Sequence, residues 1–200
     1  MTGAARGTGA AVAARLCKEG ARVMLSDLLD EAGEETANRI GESASFVHHD
    51  VTDGAQWSAL VERTLDAHGR IDILVNNAGG QFPQEARRFS PNGWNSVIDL
   101  NLNGTWSMTQ VFGNQMLDGD GGVIVQIVAI VGRGLPGIAH SAAARAGVIE
   151  LSKTLAFEWG PKVRVNCVAP GAFRTDGWER TYDEKVGNDM SGVPLPYPGR

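Results

Sequence analysis

The chain predicts an α/β fold in which a parallel sheet is covered by helices on both faces. Three observations carry this. Short Val- and Ile-rich runs alternate with longer helix-like stretches, a glycine-rich turn opens the first helix, and an acidic residue closes the strand after it. Two hundred residues, 42% hydrophobic and 20% charged, suit one domain of this class, spanning 1–200. A net charge of −5 argues against nucleic acid or an anionic membrane as the main partner, and no run of 18 apolar residues exists to span a bilayer. The opening MTGAARGTGA has no apolar core of the signal-peptide kind. Cys17 and Cys167 lie far apart in apolar surroundings, so buried reduced thiols, no metal site and a cytoplasmic chain are expected.

In chain order, strands are expected over 21–27, 43–50, 70–79, 122–128 and 163–171, all rich in β-branched residues and ending in polar or glycine-containing turns. Helices are expected over 9–19, 30–40, 55–68, 91–117 and 141–158. The second of these opens on acids, which favour the positive end of a helix. Residues 172–200, rich in Gly, Pro and polar residues, are expected to form a loop or lid over a substrate.

The glycine turn points to phosphate. Gly3, Gly7 and Gly9 stand just before or in the first helical turn, where a chain without side chains lets a pyrophosphate approach backbone N–H groups and the helix dipole. Asp27 follows 24 residues after Gly3, near the spacing of a carboxylate that accepts from the adenosine ribose hydroxyls and repels a 2′-phosphate. Leu28 supplies no cation to offset it, whereas Arg6 is placed to reach a phosphate; NAD is the expected cofactor, with NADP possible. Asp50, followed by Val51, ends the next strand where it can meet an adenine amino group. Asn77, Ala78 and Gly79, in NNAG, can hold neighbouring backbone and leave room for a flat nucleoside.

Taken in order, TGxxxGxG, the acid at Asp27, DV, NNAG, Asn101 in NLNG and NCVAPG resemble the short-chain dehydrogenase/reductase family over 2–171. The resemblance implies a doubly wound (Rossmann) sheet with NAD(P) across the strand ends, Pro170 and Gly171 included in its site, and hydride transfer to or from a small molecule. It implies homo-oligomers. It also implies a strand before Thr2 and a helix and strand after Arg200, so the chain reads as truncated at both ends. Of the family's four active-site positions only Asn101 agrees. Ala129 stands where a serine is usual, three residues before Gly132, while Ser141 and Arg145 replace the tyrosine and lysine. Serine is a far weaker acid than tyrosine, and arginine holds its charge instead of relaying a proton.

NNAGGQFPQ, AHSAAARAG and LAFEWGP are similar to the enoyl-CoA and 2,4-dienoyl-CoA reductase branch, which departs from the usual tyrosine-lysine pair. Addition of hydride to an enoyl thioester collects charge on the thioester oxygen, which needs hydrogen-bond donors more than a ready acid. Asn101, Ser141 and Arg145 are therefore the candidate catalytic residues, with Arg145 also holding the nicotinamide ribose and Ser141 the substrate oxygen. The acceptor would be an enoyl thioester or a hydrophobic alcohol or ketone. His140 is the adjacent residue with a suitable ordinary pKa, or else a packing residue. Ser141 serves equally as a helix N-cap, and Trp178 and Tyr182 as substrate-lid or packing residues. A nucleotide-binding protein without turnover and a non-functional fragment are the alternatives.

Overall fold

The computed structural model describes residues 1–129 and 136–171. Gly132, Trp178, Tyr182 and the expected lid over 172–200 lie outside the described residues. The described chain runs α1 (Gly7–Lys18), β1 (Val23–Asp27), α2 (Asp30–Ile40), β2 (Ala44–His48), α3 (Trp57–His68), β3 (Ile73–Asn76), α4 (Pro91–Ile98), α5 (Gly104–Asp118), β4 (Gly122–Ile127), α6 (Ala139–Trp159) and β5 (Val163–Val168). Every strand pairing is parallel. The order is β2-β1 in one sheet and β3-β4-β5 in the other.

Met1 and Thr2 run between the two sheets. Thr2 bridges Ser26 in parallel and donates to the Val75 carbonyl at 3.0 Å, while Ser26 donates to the Met1 carbonyl at 2.9 Å. Among the described residues these two are all that lies between β1 and β3. The crossover therefore joins at the carboxyl ends of β1 and β3, where Asp27 and Asn77, just past Asn76, come to face the glycine turn. Leu25, Leu74, Ile124, Met108, Met116 and Val163 are fully buried between strands and helices, each contributing about 1.5–3 kcal/mol. α2 comes close because Gly33 has no side chain where Phe46 packs, and Thr36 then donates to the Ala5 carbonyl at 2.8 Å, fastening the helix to the glycine turn.

Three sequence expectations change. The helix expected over 91–117 is interrupted by a π turn, Asp99–Asn103, with Asn101 at its centre. α6 begins at Ala139, so Ser141 is its third residue and not its N-cap; that place belongs to Ile138, which makes no side-chain cap bond. Cys17 and Cys167 are free and half-buried instead of fully buried. Among the described residues no helix is long and apolar enough to cross a membrane, and no cluster of three His, Cys, Asp or Glu is arranged to hold a metal.

Candidate functional site

An open cleft of about 350 Å³ lies across the strand ends, lined by the glycine turn (Gly3, Arg6, Gly7, Gly9), by Asp27, by His49, Asp50 and Val51, and by Asn77, Ala78 and Gly79. Gly3 and Gly7 have φ of 62° and 58°, the left-handed region that favours glycine. The turn is held from below. Thr2 Oγ1 accepts the amides of Asn77 and Ala78, both at 3.1 Å, and Asn77 Nδ2 donates to the carbonyls of Thr2 and Gly3 at 3.1 and 2.7 Å. Asn77 thus shapes the cradle through backbone bonds. The amides of the first turn of α1 have no acceptor within the helix. They face a chain that glycine leaves bare, which fits a pyrophosphate.

At the adenosine end, Asp27 is fixed by three backbone donors. Oδ2 accepts from Ala5 at 3.0 Å, and Oδ1 from Leu28 and Leu29 at 2.8 and 3.2 Å. No cation pairs with it among the described residues, and Arg6 is exposed without an ion pair. Asp50 Oδ1 is taken by the Thr52 amide and hydroxyl at 2.8 and 2.7 Å, and no described residue donates to Oδ2. This set fits the adenosine half of a nicotinamide dinucleotide.

His49 is a cleft residue that the sequence did not single out. It is 3% exposed, with no partner for either ring nitrogen, and its amide donates to the Asp27 carbonyl at 2.9 Å. Burial pushes its pKa from 6.5 down to about 4, against the opposing pull of Asp50 and Asp53. The folded state therefore favours the neutral ring. Its contribution is fully present above pH 6.5 and is lost as pH falls towards 4, about 3 kcal/mol in all. In thermal melts from pH 7.5 to 4.5, His49→Leu should gain on the parent chain steadily as pH falls; parallel pH dependences would contradict this.

The reacting end is built where α5, α6 and the turn after β3 meet. Asn101 is fully buried in the π turn; its Nδ2 donates to Gly80 and Val97 carbonyls at 2.7 and 2.8 Å, and its Oδ1 accepts the Gly80 amide at 3.2 Å. Its carboxamide is thereby committed to the backbone, so it positions the 79–80 turn. Arg145 lies one turn after Ser141 on α6. Nη1 donates to the Ile127 carbonyl at 2.8 Å, and Nη2 lies against Gly79, where a side chain would collide with it and with Asn101 Oδ1. Among the described residues no carboxylate pairs with Arg145, and burial lowers its pKa to about 10, so it stays charged at neutral pH.

Ser141 is 3% exposed, and its amide donates to His140 Nδ1 at 2.7 Å. Burial lowers the His140 pKa against the opposing pull of the Ile138 and Phe82 backbone, which favours a neutral ring packed among aromatics over a charged one. The structure thus brings Arg145, Asn101 and Gly79 together and sets Ser141 on the same helix face. Ala129 is half-buried near the end of β4 and carries no polar group. Pro170 and Gly171 follow β5 and are not among the residues lining the cleft.

The same fold recurs among known proteins. The short chain dehydrogenase family model matches residues 1–185. A protein of Bacillus subtilis (strain 168) described as a probable 2,4-dienoyl-CoA reductase is 38% identical over 98% of the chain and 81% of its own length. The 3-oxoacyl-[acyl-carrier-protein] reductase FabG of Chlamydia muridarum is also 38% identical, with the same coverage of each. A crystal structure of 3-ketoacyl-(acyl-carrier-protein) reductase from Brucella melitensis complexed with NADH superposes with a TM-score of 0.90 at 30% identity, covering 99% of this chain and 83% of that one.

Proposed function

The chain belongs to the short-chain dehydrogenase family of NAD(P)-dependent oxidoreductases, and from that premise we propose that it prefers NAD and reduces an enoyl thioester, or otherwise interconverts a hydrophobic alcohol and ketone. The observation that carries this reading is Arg145, a half-buried cation with no carboxylate partner among the described residues, set against Gly79 at the end of the dinucleotide cleft. When bound, the nicotinamide dinucleotide supplies or takes the hydride. Everything else falls to the chain's own residues.

Arg145 holds the nicotinamide ribose and, through its charge, the developing negative oxygen of the substrate; in a buried site that charge acts with little screening. Ser141 offers a hydroxyl to the same oxygen. Asn101 fixes the 79–80 turn against which Arg145 lies. No described residue here is a ready acid at neutral pH, which suits an acceptor whose hydride adduct is a stabilised enolate that takes its proton from water. A simple ketone yields an alkoxide that needs a proton at once. Phe157, 90% exposed on α6, supports assembly with a second copy.

Two measurements test the reading. NADH oxidation should be seen with crotonyl-CoA, and faster than with saturated ketones of similar size; the reverse order would favour the ketone chemistry. Asp27→Asn keeps the size and one acceptor but removes the charge. It should weaken NADH binding and improve NADPH relative to NADH by about tenfold or more in calorimetry. An unchanged ratio would separate Asp27 from cofactor choice.

A further inference from the structure

We propose that Phe82, Phe89, Trp94 and His140 form a subsite for a large apolar group of the substrate, running outward from the reacting end; its occupant rests on the oxidoreductase reading. The four rings interlock. His140 lies 4.9 Å from Phe82 and 4.4 Å from Phe89, and Phe89 lies 6.0 Å from Phe82 and 6.1 Å from Trp94, centre to centre. The inner end is closed: His140 is fully buried and adjoins Ser141. The outer end is open, with Phe82 38% and Trp94 37% exposed.

The rings are held in place. Gln84 donates to the Gly137 carbonyl at 2.8 Å, fastening the segment that carries Phe82 to the turn before α6. Ser90 Oγ accepts the Gly93 amide at 3.0 Å, capping α4, which carries Trp94. A side chain at Gly93 would stand 3.1 Å from Phe82 Cζ, so the absence of one lets α4 close against that ring.

The ring cluster itself carries little charge. Glu85 pairs with both Arg87 and Arg88, at 2.9 and 3.2 Å, which leaves this segment a net charge of +1 held at its exposed edge, and burial of His140 favours its neutral ring. A ligand whose oxygen sits at Ser141 and Arg145 must send its remainder into water or along these rings. An apolar remainder takes the rings, since that removes its surface from water.

The test is calorimetric titration of the chain, with NAD⁺ bound, by crotonyl-CoA and by trans-2-decenoyl-CoA. The longer ester should bind about tenfold tighter or more. Replacing Trp94 and Phe82 together by Ser should shrink that preference to about threefold or less, while Glu62→Ser, on the exposed face of α3, keeps it. Trp94→Phe, a milder change, should remove a tryptophan fluorescence change that decenoyl-CoA causes in the parent chain. Equal affinities in the parent, no binding of either ester, or an undiminished preference in the double variant would overturn the subsite. Binding needs no turnover, so the two readings separate. A preference lost on substitution in a chain that never oxidises NADH keeps the subsite and sinks the oxidoreductase substrate reading; turnover with an undiminished preference does the opposite.

Discussion

Arg145→Met should lower kcat/KM by about 100- to 1000-fold, the range seen when a fixed donor to a developing oxyanion is removed. The same substitution should leave the chain as stable or more so. Arg145 has one hydrogen bond, to Ile127, and no carboxylate partner among the described residues, and its pKa of about 10 records the cost of keeping that charge out of water. Methionine fills much of the same volume without it, and a buried cation without a partner stabilises nothing by itself. Loss of turnover together with an unchanged or raised Tm identifies a residue retained for chemistry. A fall in both would make Arg145 a structural residue, and unchanged turnover would move the chemistry elsewhere. Ser141→Ala removes one neutral hydroxyl and should cost less, about tenfold. Steady-state kinetics and calorimetric melts on the two variants check both statements.

Gly9→Ala should abolish nucleotide binding, raising Kd by about 100-fold or more. A methyl at Gly9 would run into the Gly3 carbonyl and would come within 2.7 Å of Asn77 Nδ2 and 2.9 Å of the Ala4 α-carbon. Two of these are backbone, and the third is the clamp that holds the Thr2 and Gly3 carbonyls. None is a flexible side-chain end, so the turn itself must move, carrying with it the amides that face the phosphates. Gly54→Ala is the control. Its methyl would meet only the Trp57 ring, at the ordinary contact distance of 3.6 Å, and it should bind NADH as the parent does. Tight binding by Gly9→Ala, read by calorimetry, would show that the pyrophosphate lies elsewhere.

The parts of the molecule legible in the sequence are those written in local spacing. β1 ends at Asp27 and β4 and β5 read as Val- and Ile-rich runs because both faces of a parallel sheet are covered, which leaves no polar alternation to confuse. The cofactor residues follow from the same local logic: a bare turn, then an acid one strand later.

What was not legible depends on contacts distant in the chain. The π turn at Asp99–Asn103 falls in a segment with an ordinary helical pattern; the Asn101 side chain is tied to Gly80, 21 residues away. His140 reads as a candidate acid until Phe82 and Phe89, more than fifty residues earlier, are seen to enclose it. His49 gave no signal beyond its place next to Asp50, since nothing local shows that its ring is buried without partners.

The central claim is that this site moves a hydride with Ser141 and Arg145 at the positions where the family carries its tyrosine and lysine. Its most direct test is single-turnover reduction of crotonyl-CoA with NADH deuterated at C4, read by mass spectrometry and NMR of the product. Deuterium at C3, a solvent proton at C2, and loss of the transfer in Arg145→Met are the predicted result. Tight NADH binding with no deuterium reaching any enoyl thioester, ketone or aldehyde would contradict it, and would make the chain a nucleotide-binding protein without turnover.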